Sequence, residues 1–117
     1  MTTTPPPIPT ISVRQNEIPG LSAAYRINTY PVAVRSWRET EAGGFADPDK
    51  FPLTWTVYFM VDGQWAQLLS ARGLRREWSS LDRLEKWLRA LGFRYFWIRN
   101  DIEPADVIET ASGLTLK

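Results

Sequence analysis

Apolar Trp55, Val57, Phe59 and Val61 alternate with Thr54, Thr56, Tyr58 and Met60, which is the two-residue period of a β-strand. Asp62-Gly63 follows and suits a two-residue type I′ turn, whose two central residues both take positive φ. That turn dictates a register: Val61 opposite Gln64, Phe59 opposite Ala66 and Val57 opposite Leu68. Trp55, Val57, Phe59, Val61, Ala66 and Leu68 then share a core face. Tyr58, Met60, Trp65, Gln67 and Leu69 share the other, which is half apolar.

Ala71-Arg72-Gly73 reads as the next turn, with Gly73 in the left-handed position, leading into a third short strand. On that register Leu74 and Trp78 join the core face and Arg75 and Glu77 the other. Arg76 then points coreward, which leaves the register open by one residue. The period next changes to that of a helix, since Leu81, Leu84, Trp87, Leu88 and Leu91 form one stripe at about 100° per residue. A helix from Ser80 to Leu91 is expected, with Ser79 and Asp82 as its capping box and Gly92 as its left-handed stop. Asp82 with Lys86 and Glu85 with Arg89 are favourable i, i+4 pairs. From Phe93 to Asn100 alternation returns, with Phe96 and Ile98 toward the helix and Tyr95, Trp97 and Arg99 on the second face.

The flanking segments are less regular. Met1 to Thr10 is rich in Pro and Thr and reads as a disordered tail of polyproline II character, without the nearby Arg that a PxxP ligand carries. Ile11 to Ile18 alternates weakly, as a short strand broken by Pro19-Gly20. Ala24 to Arg38 reads as one strand interrupted, or two joined, at Pro31, which places it at a sheet edge or bulge. Glu39 to Pro52 is an acidic surface loop. Pro104 followed by Ala105 to Thr110 suits a short helix with proline in its first turn, and residues 111–117 read as a frayed end. The expectation is one α+β domain over residues 11–110, an antiparallel sheet of four to six strands packed on one α-helix, in the order β-β-β-β-β-α-β.

Composition changes this picture in three ways. Six Trp, five Phe and four Tyr in 117 residues exceed the needs of one core, so some aromatics are expected near the surface. The net charge of +1 argues against binding nucleic acid through bulk charge, yet eleven of the fourteen basic residues are Arg, which forks onto phosphates and stacks on rings. The absence of Cys and His removes thiol nucleophiles, Ser-His pairs and Cys/His zinc sites. Asp47 and Asp49 lack the glycine and distal Glu of a calcium loop, and Asp101, Glu103 and Asp106 lack a positioned partner for acid-base work. No enzyme, cofactor or metal is expected. No run reaches the length of a membrane span, and the first ten residues lack the basic start and apolar centre of a signal peptide. A cytoplasmic protein without a membrane partner is therefore expected.

The candidate site is the second face, Tyr58, Met60, Trp65, Gln67, Tyr95 and Trp97, with Arg75 and Arg99 at its margin. A sheet backed by a helix can lay such a face in a DNA groove, with Arg72, Arg75, Arg76 and Arg99 on phosphates and Trp65 and Tyr58 in packing contacts. Arg83 extends the basic turn. The same face can stack single-stranded bases. Alternatively it is covered by the N-terminal strands, or Trp65, Met60, Tyr95 and Trp97 form an interface with a second copy, through this face or the Pro31 edge.

The run LLSARGLRREWSSLDRLEKWLRALGF, from Leu68 to Phe93, resembles a segment of small accessory proteins carried by plasmids and integrative elements of proteobacteria, some of them partition-associated. The shared features are the ARG turn, a basic short strand, the SLD helix start and the LRxLGF helix end. The resemblance implies mobile-element maintenance and brings no catalytic residue. The resulting expectation is a non-enzymatic DNA-binding accessory protein. The alternative is a protein-interaction module, or a homodimeric structural or inhibitor protein, without nucleic-acid contact.

Overall fold

The computed structural model describes residues 6–39 and 52–102. Its elements are β1 (Ile11–Arg14), a 3-10 turn (Gln15–Glu17), α1 (Ile18–Ala23), β2 (Val32–Trp37), β3 (Leu53–Val61), β4 (Gln64–Leu69), α2 (Leu81–Ala90) and β5 (Trp97–Arg99). The α+β class is as expected, but the sheet is mixed. Its order is β1-β4-β3-β2-β5, with β1 parallel to β4 and β5 parallel to β2. Only β3 runs against the other four strands.

The connections explain this. A tight turn reverses the chain, whereas a helical crossover returns it to the end it left, so the next strand runs parallel. The turn at Asp62-Gly63 joins β3 to β4, with φ of 51° and 82°, and the register places Val61 against Gln64 and Phe59 against Ala66 as expected. Both α1 and α2 instead sit between strands of like direction. An all-antiparallel sheet requires every connection to be a reversal, and these two are not.

The second helix, α1, corrects the one-helix expectation. Pro19 occupies its first turn, where a missing N–H costs nothing, so Pro19-Gly20 opens a helix here and does not break a strand. Strand β1 ends at Arg14, whose backbone N–H donates to Glu17 Oε1 at 2.7 Å. Pro31 precedes β2 and needs no place in the ladder, so β2 lies inside the sheet between β3 and β5. Before it, only Ile27 pairs, as a bridge to Val61.

The core lies between the sheet and the two helices. Trp55, Val57, Phe59, Val61, Ala66 and Leu68 are all buried, with Val13, Ile18, Ala33, Trp78, Leu84 and Leu88 beside them. In α2, Leu84 and Leu88 are fully covered and Leu81, Trp87 and Leu91 flank them. Its N-cap is Ser80, whose Oγ accepts from the Arg83 N–H at 3.2 Å, and not Ser79. Both expected ion pairs form, Asp82–Lys86 at 3.4 Å and Glu85–Arg89 at 3.3 Å.

The third strand expected over Leu74–Trp78 is reduced to bridges. Arg75 bridges to Leu69, and Trp78 bridges to Trp55 through two backbone bonds of 2.8 and 2.9 Å. Residues 70–74 form a small excursion closed by the Ser70 N–H on the Leu74 carbonyl, and Leu74 is exposed where a core position was expected. The acidic loop over 40–51, the C-terminal helix expected at 105–110 and residues 1–5 of the tail lie outside the described residues.

Candidate interaction surfaces

The strand registers put Val32, Val34, Thr54, Thr56, Tyr58, Met60, Trp65, Gln67 and Trp97 on the face away from the helices. This face is not bare. Thr54 and Thr56 are fully buried, Tyr58, Met60 and Trp65 half-buried. Part of the cover is Arg75, whose side chain is 8% exposed and pairs with Glu77, 3% exposed, at 2.5 Å. Arg75 Nη2 also donates to Ser36 Oγ at 3.1 Å and to the Trp37 carbonyl at 2.8 Å, while Nη1 meets Glu39 at 3.1 Å. Its Nε and Nη2 are filled from within and Nη1 lies on Glu39, so Arg75 ties the segment after the excursion to β2. Beside it, burial raises the Tyr58 phenol above its usual range, opposed by the Arg75 charge and reinforced by that of Glu39.

The remaining expected site residues scatter. Arg99 is occupied by Asp101 at 2.7 Å. Arg72 is exposed on the excursion, where its N–H donates to Ser70 Oγ and its guanidinium has no acidic partner among the described residues. Arg76 turns away from the second face, with its guanidinium carbon 4.5 Å from the Trp78 ring centroid. Trp65 and Met60 stand opposite each other on β4 and β3. Of the six residues expected on one DNA-reading surface, Tyr58, Trp65, Arg75 and Arg99 share the face away from the helices, with both arginines on acidic partners, whereas Arg76 lies on the other side against Trp78.

Exposed aromatics gather at β5 instead. Trp97, Tyr95, Tyr30 and Ile98 are 61%, 66%, 50% and 55% exposed, and Tyr30 and Tyr95 touch with centroids 5.4 Å apart. With Arg94 and Phe96 they line a concavity of about 430 Å³. The Trp97 N–H donates to the Pro31 carbonyl at 2.9 Å, so strand alternation turns the N–H and C=O of Ile98 outward, to the open edge. Tyr95 and Trp97 are among the residues expected in an interface; Tyr30 and Ile98 are not. Sequence periodicity assigns Ile98 to the core, and nothing in it brings Tyr30 to the far end of the sheet.

No family model, curated protein or solved structure matches the chain.

Proposed function

We propose that the protein is a non-enzymatic, cytoplasmic interaction module that associates with a second copy of itself across the open edge of β5. The observation that carries this is the coincidence of an unpaired strand edge with Tyr30, Tyr95, Trp97 and Ile98 in one exposed patch. At about 150–250 Å² per aromatic side chain, half to two-thirds exposed, the patch presents on the order of 400–500 Å². A patch of that size on a soluble chain usually marks an interface, and an edge strand without a charged guard on its apolar positions invites pairing. Edge-to-edge pairing of two β5 strands supplies backbone bonds and packs the Trp97 rings at the join. Sedimentation velocity tests this. Dimer should accumulate with concentration, and Trp97→Lys should return the chain to monomer with its circular dichroism unchanged; a monomer at several hundred micromolar wild-type protein would remove the reading.

A second reading is a DNA-binding accessory protein of a mobile element, favoured by Arg72 and Arg76, whose guanidinium groups have no acidic partner among the described residues. Its test is gel retardation of duplex and single-stranded DNA at low salt. Removing one phosphate-binding cation should reduce the salt slope by about one unit, so Arg72→Ala should flatten it. Arg75→Ala should leave it unchanged if the variant remains folded.

A further inference from the structure

We propose that the helix-bearing face of the sheet holds a phosphomonoester site built from Arg35 and Arg76 on the indoles of Trp55 and Trp78, which are backbone-bridged neighbours. The site is separate from the β5 edge and does not depend on it.

Trp55 is the centre of the arrangement. It faces Arg35 of β2 on one side, and its backbone pairs with Trp78 on the other. Because the Trp55 N–H and C=O both serve Trp78, the Arg35–Trp55 pair is a non-hydrogen-bonded one, in which side chains stand closest. The guanidinium carbon of Arg35 lies 5.2 Å from the Trp55 centroid and that of Arg76 lies 4.5 Å from the Trp78 centroid. The two cations are thus held on rings rooted about 5.5 Å apart, the Cα spacing of a hydrogen-bonded antiparallel pair. Trp87 of α2 packs against Trp78 at 5.1 Å, which fixes the platform from the helix side.

No acid among the described residues pairs with either cation. Among the described residues every close acid serves another base: Glu77 and Glu39 are on Arg75, Asp62 on Arg26 and Asp101 on Arg99. Arg76 is half-buried, its Nε is buried without an acceptor, and burial lowers its pKa. A stacked guanidinium keeps its donors in its own plane, directed away from the ring, where an anion can take two of them. Two cations with no acidic partner among the described residues suit two negative charges, and a phosphomonoester carries about −1.5 to −2 near neutral pH. A carboxylate brings one. The anion would also recover part of the desolvation cost that Arg76 now bears alone.

The test uses inorganic phosphate and adenosine monophosphate as probes, with chloride at equal ionic strength as the screening control. Broadening of the phosphorus NMR line by wild-type protein should yield a Kd, and at about ten times that concentration the folded-to-unfolded ratio should rise about elevenfold. Arg76→Gln should weaken binding at least about tenfold, the scale of one charge-assisted hydrogen bond, with a smaller loss in Arg35→Gln and none in Lys86→Gln. Tighter binding of the nucleotide than of phosphate assigns the source as a nucleotide; equal binding assigns recognition to the phosphate alone. If Arg76→Gln loses its near-ultraviolet dichroism, Arg35→Gln decides. The proposal is overturned by no broadening beyond chloride, by acetate competing as well as phosphate, or by binding that survives the deciding substitution intact.

Discussion

Arg75→Ala separates a structural arginine from a phosphate-binding one. The substitution takes the guanidinium from Glu77, 3% exposed, whose Oε2 still accepts the Glu39 N–H at 2.8 Å, and removes donors from Ser36 Oγ and the Trp37 carbonyl. Breaking a buried ion pair from one side costs up to about 3–5 kcal/mol when the remaining charge is left desolvated, and the Glu39 N–H on Glu77 offsets part of that cost. The ion pair with Glu39, which is mostly exposed, adds little. At about 2.1 cal/mol/K per residue, the 117 residues have an unfolding entropy of about 0.25 kcal/mol/K, so the full cost would lower Tm by roughly 12–20 °C and sets the upper end of the expected fall. Calorimetry reads this directly. Arg75→Met with Glu77→Leu should recover most of the loss, because an apolar pair strands no charge. A loss below about 1 kcal/mol for Arg75→Ala, in the range of surface substitutions, would mean that the guanidinium faces solvent and that the tie between the segment after the excursion and β2 is absent.

Ser80→Ala should cost about 1 kcal/mol in urea unfolding through removal of the α2 cap, whereas Ser79→Ala should change almost nothing; the reverse order would restore Ser79 as the cap. Tyr25 follows α1 with φ of 58° and is 90% exposed. A left-handed non-glycine residue costs about 1–2 kcal/mol and glycine's greater chain entropy about 0.5–1, so Tyr25→Gly should be neutral to about 1.5 kcal/mol stabilising; clear destabilisation would show that the ring packs on the chain. The Tyr58 pKa is raised, chiefly by burial. Its contribution to stability is therefore full below the unfolded-state value near 10 and is lost as pH rises through the higher folded value. The absorbance titration at about 295 nm, wild type minus Tyr58→Phe, should show that ionisation above pH 10, and a midpoint at or below 10 would contradict the burial.

What is legible in the sequence is what short-range physics controls. Asp62-Gly63 allows one turn type, and with it come the β3–β4 register and six core positions. The leucine stripe locates α2 to within one residue. The places of β2 and β5 in the sheet are not legible, because long connections precede both and no turn geometry ties their registers to β3. Arg35 beside Trp55 escapes notice for that reason. The alternation of Arg75 and Glu77 places them correctly on the second face, but alternation does not report that Ser36 and Trp37 fill the arginine's fork. A charged residue in a turn looks the same in sequence whether it is solvated or locked. Pro19 shows a similar ambiguity, since proline both ends strands and opens helices, and only the burial of Ile18 beside it decides between them.

Amide exchange at Ile98, followed by NMR as protein concentration is raised, tests the central claim most directly. The Ile98 N–H faces the open edge of β5, while its neighbour Trp97 is bonded inward to Pro31. If two copies pair across this edge, Ile98 should exchange at close to the free-peptide rate in dilute solution and become protected as dimer forms. The Trp97 indole resonance should shift with the same concentration midpoint, and Trp97→Lys should abolish both changes. Exchange at Ile98 that stays fast while dimer accumulates would place the interface elsewhere and contradict the account.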